Sequence, residues 1–216
     1  MSLYDRAALK MGVYLNPGNS GFAEILQTDY VDKTGLIGLI NRTIGTKKKL
    51  TCISRPRRFG KSYTAQMLCA YYDKTCDSRE LFAPFKISQD QTYENHLGKY
   101  DVIYVDMTYI KQFCDNYDTL VEYLPKKITE ELLAAYPEIK ASNEFPATLM
   151  RAADFIGNRF IVIIDEWDAP IRENQTVAER YLEFLRTLFK SSATTSKIFA
   201  AVYMTGILLF YKDPFG

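Results

Sequence analysis

Phe160–Ile164 is an unbroken apolar run, and it ends on Asp165-Glu166. A strand with apolar residues in succession has both faces buried, as happens in a parallel sheet covered by helices on each side. Parallel strands need crossover connections between them, usually helical. The run therefore predicts a chain in which strands and helices alternate. Leu50–Ser54 reads as a first strand, Asp101–Met107 as a second, and Lys197–Met204 as a fourth that ends in Thr205-Gly206.

Helical periodicity fills the intervals. Met67, Leu68, Tyr71 and Tyr72 share one face of a helix that opens after Ser62. Residues 73–100, broken by Pro84 and Gly98, read as loop with short helical pieces. Val121, Leu124, Ile128 and Leu132 mark a helix over 118–136, where Pro125 predicts a kink or a late start. Asn143–Gly157 reads as a helix capped by Ser142 or Asn143, with Pro146 tolerated in its first turn. Val177, Tyr181, Leu182, Leu185, Leu188 and Phe189 form the clearest amphipathic helix.

Before the first strand, Asn16–Ser20 is a turn cluster. Phe22, Ile25 and Leu26 then fit one short helix, and Leu36, Leu39 and Ile40 fit another. Lys47–Lys49 reads as a solvated loop. This order predicts an α/β protein with a mainly parallel sheet. We expect a single domain over 1–216, with 1–48 as an N-terminal helical and loop segment and 49–208 as the core.

Composition excludes several classes. The chain has 216 residues, 47% hydrophobic and 25% charged, as is ordinary for a soluble domain. A net charge of +1 gives no global attraction to nucleic acid or membrane. The N-terminus carries charges where a signal peptide would be apolar, so a cytoplasmic location is expected. A single histidine, His96, and four cysteines without a CxxC pair argue against a Cys/His zinc site and against disulfides.

The chemistry concentrates in two stretches. LTCISRPRRFGKS, residues 50–62, reads as a strand, a cationic turn and a helix start. A phosphate loop aims backbone N–H groups at phosphate from such a turn. There Gly60 allows close backbone approach, Lys61 would reach the β- and γ-phosphates, and the Ser62 hydroxyl would ligate Mg²⁺. The first glycine of the usual pattern is replaced by Arg55, and Pro56 has no N–H, so the cradle must come from 57–62. The nucleotide-binding stretch is thus Arg57, Arg58, Phe59, Gly60, Lys61, Ser62 and Tyr63. In the second stretch Asp165 sits at the C-terminal tip of a buried strand, the edge where open α/β sheets bind ligands. It is the expected Mg²⁺ carboxylate. Glu166 beside it is the expected general base for water. Thr205, at the matching tip of the fourth strand, could orient that water or touch the γ-phosphate. Arg57 and Arg58 could contact phosphate, pair with Asp165 or Asp168, or face a partner. Trp167 and His96 read as packing residues.

YVDKTGLI (30–37), SRPRRFGKS (54–62), VIIDEWDAPI (162–171) and YMTGIL (203–208) together resemble the AAA-ATPase-like family of bacterial and archaeal proteins. The resemblance implies a three-layer P-loop NTPase fold of the AAA/ASCE-like kind. It makes Arg55 a family trait, Lys61 and Ser62 the Walker A phosphate and magnesium residues, Asp165-Glu166 the Walker B pair and Thr205 a sensor-like residue. Tyr30, Asp32 and Lys33 match the family's YVDKT segment, expected near the nucleotide base. Trp167 stands where the family usually has tyrosine. Family members often continue into a PD-(D/E)XK nuclease-like domain, whereas this chain stops at Gly216. A truncated product is therefore expected, with the sheet incomplete at its C-terminal end and the edge beside the phosphate-loop strand open or otherwise covered.

The expected function is Mg²⁺-dependent ATP binding, with hydrolysis driving a conformational switch in a protein partner or a downstream effector domain. A nucleotide-binding module without turnover and a small-molecule P-loop kinase are the alternatives. Direct nucleic-acid binding through Lys47–Lys49 and Arg55–Arg58 lacks aromatic stacking platforms. Oligomeric state stays open.

Overall fold

A computed structural model describes residues 12–207. Among these residues four strands form one sheet: β1 (Leu50–Ser54), β2 (Val102–Asp106), β3 (Phe160–Asp165) and β4 (Phe199–Gly206). All pairings are parallel, and the spatial order is β1-β4-β3-β2.

The two central strands, β3 and β4, are buried at every residue. Their side chains alternate between two cores. Ile161, Ile163, Ala201 and Tyr203 face a layer containing α1 (Ser20–Ile25), α2 (Gly35–Asn41) and α3 (Lys61–Tyr72). Val162, Ile164, Val202 and Met204 face α4 (Leu120–Ala135), α5 (Phe145–Ile156), α6 (Ala178–Phe189) and α7 (Ser192–Ile198). The three-layer α/β reading holds, with helices on both sides. α3 is more deeply enclosed than its one-faced pattern suggests, since Ala65, Cys69 and Ala70 are buried as fully as Tyr71 and Tyr72. The hydroxyls of those tyrosines are satisfied inside: Tyr71 donates to the Tyr93 carbonyl (2.7 Å) and Tyr72 to Asn41 Oδ1 (2.8 Å).

Several local expectations need correction. α4 begins at Leu120 and includes Pro125, instead of starting late. Leu120, Leu124, Ile128 and Leu132 form one buried stripe, and that burial outweighs the backbone bond the proline forfeits. α5 starts at Phe145 with Glu144 at its N-cap, not Ser142 or Asn143. Ser142 is instead tied to Thr148, whose Oγ1 accepts from the Ser142 N–H at 2.8 Å. β4 starts at Phe199, because Lys197 belongs to α7. In α2 Leu39 is 61% exposed, while Ile37 and Ile40 take the buried face. Lys49 is buried, not solvated. Its Nζ lies 3.4 Å from Ser196 Oγ, and burial, helped by the charge of Arg159, lowers its pKa.

The chain crosses the sheet once, from β1 at one edge to β2 at the other, and returns through β3 and β4. The segment after β1 leaves toward α3, and the segments after β2 and β3 leave toward the opposite layer. A crevice therefore opens at the C-terminal ends of the strands, where such sheets hold ligands. The outer edge of β1 has no strand beside it among the described residues. The outer edge of β2 is covered by Tyr14–Asn16, which run antiparallel to it. Tyr104 N donates to the Tyr14 carbonyl (2.8 Å) and Asn16 N to the Val102 carbonyl (2.7 Å). Glu131 of α4 clamps this segment by accepting from the N–H groups of Val13, Tyr14 and Leu15 at 3.0, 2.9 and 2.8 Å.

Glu131→Ala strands those three amides. It should cost roughly 1.5–3 kcal/mol in urea unfolding, with Glu131→Gln recovering part of the loss. Wild-type stability in the alanine variant would show that the clamp does not hold the edge.

Candidate functional site

β1 ends at Ser54, and the chain reaches α3 through a turn with two left-handed residues, Arg58 (φ 69°) and Gly60 (φ 71°). Gly60 is the N-cap of α3 and brings no side-chain cap, so the first-turn amides lack the usual local acceptor. That is the electrostatic setting in which helix starts bind anions.

Asp165 is the junction. It closes β3, is buried, and receives three donors. Ser62 hydrogen-bonds its carboxylate from α3, the Thr205 hydroxyl donates to Oδ1 from β4, and the Glu166 N–H donates to the same oxygen at 3.1 Å. Burial pushes the Asp165 pKa up. The bonds from Ser62 and Thr205 pull against it, the charges of Asp106 and Glu166 add to it, and the net direction is upward.

The next residue turns into the left-handed region, Glu166 at φ 51°, where a non-glycine residue is strained unless held. Here it is held at both ends. Its N–H lies between Asp165 Oδ1 and Thr205 Oγ1 (3.4 Å). Its carboxylate spans two cations, with Oε1 3.1 Å from Lys61 Nζ and Oε2 2.7 Å from Arg172. Arg172 in turn places Nε 3.2 Å from Asp168, whose Oδ2 accepts the Ile207 N–H at 2.9 Å. Lys61 also reaches the Pro56 carbonyl at 3.3 Å. A charged chain thus runs Lys61–Glu166–Arg172–Asp168 across the end of the sheet.

A cleft of about 630 Å³ lies over this chain. Arg57, Arg58 and Gly60–Tyr63 line one side, and Thr108, Glu166, Arg172 and Glu173 the other. Phe59 is 59% exposed and is not among the lining residues. Asp168 pairs with Arg172, while Arg57 and Arg58 face the cleft. Trp167 is buried, and its N–H continues the β3–β4 pairing by donating to the Thr205 carbonyl (2.9 Å). A side chain at position 206 would strike Trp167 Nε1 at 2.7 Å, so the residue after Thr205 must be glycine. Lys33, from the segment expected near the base, lies against the loop itself, with Nζ 2.5 Å from the Phe59 carbonyl.

Periodicity missed two residues here. Asp106 closes β2 in register with Asp165, and accepts from Thr108 N (2.8 Å) and Oγ1 (2.6 Å). Its signal was an acid at the tip of a second strand. Arg172 was signalled only by its i,i+4 spacing from Asp168.

Among the described residues no group of three or more His, Cys, Asp or Glu side chains could hold a metal ion by itself. The hydrogen-bonded pair Ser62 and Asp165 does fit Mg²⁺, which takes one or two protein oxygens and completes its shell with phosphate and water. A cation there would also relieve the penalty on the buried carboxylate. Among the described residues no helix is long and apolar enough to cross a membrane.

A family model named AAA-ATPase-like and described as a predicted AAA-ATPase matches residues 17–215. No curated protein matches the chain. The all-parallel sheet with helices on both faces is consistent with the P-loop NTPase fold.

Because its folded pKa is raised, Asp165 binds its proton more tightly in the folded chain than in the unfolded one. Its contribution to stability is full below the ordinary carboxylate value, about pH 4, and is lost as pH rises through the raised value. Asp165→Asn removes that loss. The nucleotide-free variant should melt a few degrees above wild type at neutral pH, the gap closing toward about pH 4. Thermal unfolding across pH checks this, and a constant gap would contradict it.

Proposed function

The chain belongs to the AAA-ATPase-like family, and from that premise we propose that the cleft binds ATP with Mg²⁺ and hydrolyses it. The observation that carries this reading is convergence. Lys61 and Ser62 at the start of α3 and Asp165 and Glu166 at the end of β3, two segments far apart in the chain, meet at the C-terminal edge of the sheet, where Lys61, Ser62 and Glu166 line one cleft.

In this reading the amides of the loop and of the first turn of α3 take the phosphates. Lys61 turns its ammonium from Glu166 to the β- and γ-phosphate oxygens. Arg57, Arg58 and Tyr63 flank the triphosphate. Ser62 and Asp165 hold Mg²⁺, which when bound neutralises phosphate charge and polarises the terminal phosphoryl group. Glu166, released from Lys61 but still steadied by Arg172, accepts the proton of the attacking water. Thr205 fixes the Asp165 carboxylate and meets the Glu166 amide, so it can report the state of the site to β4. The exchange of partners by Glu166 is the switch, and its output passes to a protein partner or an effector domain.

A binding module without turnover is the second reading. It is favoured by the double hold on Glu166, which occupies both carboxylate oxygens with cations.

Phosphate release and titration calorimetry on wild type, Lys61→Ala and Glu166→Gln separate the two. Lys61→Ala should weaken MgATP binding at least about tenfold. Glu166→Gln should keep binding and lose about 100-fold or more in turnover. Equal rates in all three would sink the hydrolysis reading. Tight binding by wild type with no phosphate release would establish the binding module.

A further inference from the structure

Lys33 reaches a backbone carbonyl of the loop between β1 and α3 without lining the cleft, whereas Lys61, which also reaches a loop carbonyl, lines it. Lys33 Nζ lies 2.5 Å from the Phe59 oxygen. It also stands over the Gly60 Cα, since a side chain added at Gly60 would meet Nζ at 2.5 Å. The peptide joining Phe59 to Gly60 is planar and trans, so its C=O and N–H point in opposite directions. Holding the oxygen toward Lys33 turns the Gly60 N–H to the opposite side, and Gly60 lines the cleft while Lys33 does not.

The segment bearing Lys33 is built to be rigid. Tyr30 is packed edge-on against Phe22 and Phe85, each with ring centroids 5.4 Å away. Its hydroxyl donates to Met67 of α3 (3.2 Å) and accepts from the Lys33 N–H (3.3 Å). Asp32 closes a tight turn by accepting from Thr34 N (2.8 Å) and Oγ1 (2.7 Å), and it takes the Lys86 N–H at 3.3 Å. Burial works against the Asp32 charge, but the bonds from Thr34 and Lys86 outweigh it and hold the carboxyl below its ordinary value. The strap is thus anchored to α3 at one end and to residues 86–87 at the other, with Thr34 Oγ1 accepting from the Ile87 N–H (3.3 Å).

We propose that Lys33 is a positioning residue that preorganises the phosphate loop, fixing the Phe59–Gly60 peptide so that the Gly60 N–H faces the nucleotide before it arrives. The loop begins on Arg55 where a glycine is usual, and Pro56 donates nothing. Few amides remain to form the cradle, and an anchor outside the loop fixes one of them. Lys33 acts through the backbone and does not touch the nucleotide.

The inference rests on the cleft being a nucleotide site, and Lys61→Ala tests that premise in parallel. Lys33→Met removes the donor, Lys33→Arg keeps it, and Tyr30→Phe loosens the strap while leaving the lysine. Two quantities are read: MgATP affinity by calorimetry, and amide hydrogen exchange over residues 56–63 in the nucleotide-free protein, with thermal unfolding as the control for fold. In Lys33→Met, affinity should fall about five- to tenfold and loop exchange should quicken before any nucleotide is added. Lys33→Arg should restore most of both, and Tyr30→Phe should show the same pair of changes at smaller size. Wild-type affinity in Lys33→Met, with binding weakened in Lys61→Ala, overturns the inference alone. Weakened affinity with unchanged loop exchange also overturns it, because Lys33 would then contact the nucleotide directly. Undiminished binding in Lys61→Ala removes the nucleotide-site reading and the inference with it.

Discussion

Asp165 carries its carboxylate to the tip of β3, where desolvation opposes its charge. Three elements converge to hold it there: Ser62 from α3, Thr205 from β4 and the amide of Glu166. Each of these donors is positioned by something larger. Ser62 is placed because α3 opens directly from the β1 turn, Thr205 because β4 lies between β1 and β3, and Glu166 because the backbone turns left-handed as β3 ends. A buried charge is tolerated only with such partners. The site and the fold are therefore stabilised by the same contacts, and a change in any donor is felt at all three elements.

The sheet makes this convergence possible through its order. With β1 beside β4 and β4 beside β3, the start of α3 and the two acids emerge at one end of the sheet, although more than a hundred residues separate them in the chain. The opposite edge is treated differently. β2 is closed by the antiparallel segment Tyr14–Asn16, with Asn16 bonded to Asp101 (2.7 Å) and to the Val102 N–H (2.8 Å). A covered edge satisfies backbone groups that would otherwise face solvent or a second chain.

What was legible in the residues was what repeats locally. The apolar run Phe160–Ile164, the strand, turn and helix of residues 50–62 and the stripe from Tyr181 to Phe189 each carry a period or a motif, and each forms the element that signal predicts. That Asp165, Glu166, Lys61, Ser62 and Thr205 lie together was legible because strand ends of a parallel sheet fall on one edge. The errors have a common origin in contacts between distant segments. Pro125 lies inside α4 because four buried side chains over-rule one lost hydrogen bond. Lys49 is buried because α7 packs over it, which a run of three lysines does not reveal. Glu131 carries no signal in the helix period, yet its carboxylate accepts from three amides of a segment more than a hundred residues away. Arg172 and Asp106 were missed for the same reason, since their faint local signals take meaning from what faces them.

If the loop between β1 and α3 holds phosphate as proposed, the charged chain across the sheet end gives a reason for it to be supported from outside itself. Lys61 is shared between Glu166 and the Pro56 carbonyl, so the lysine that would take phosphate is engaged within the site beforehand. An ion pair with both side chains largely shielded from water costs desolvation, and that cost is recovered only if the geometry is kept. In the proposed cycle Lys61 leaves Glu166, and the loop would then lose a contact that spans the cleft when its amides must be in place. A strap fixed to α3 through Tyr30 and to the Phe59 carbonyl through Lys33 does not depend on that ion pair. In that proposal the loop would keep its shape while Lys61 and Glu166 change partners, separating the part of the site that binds from the part that switches.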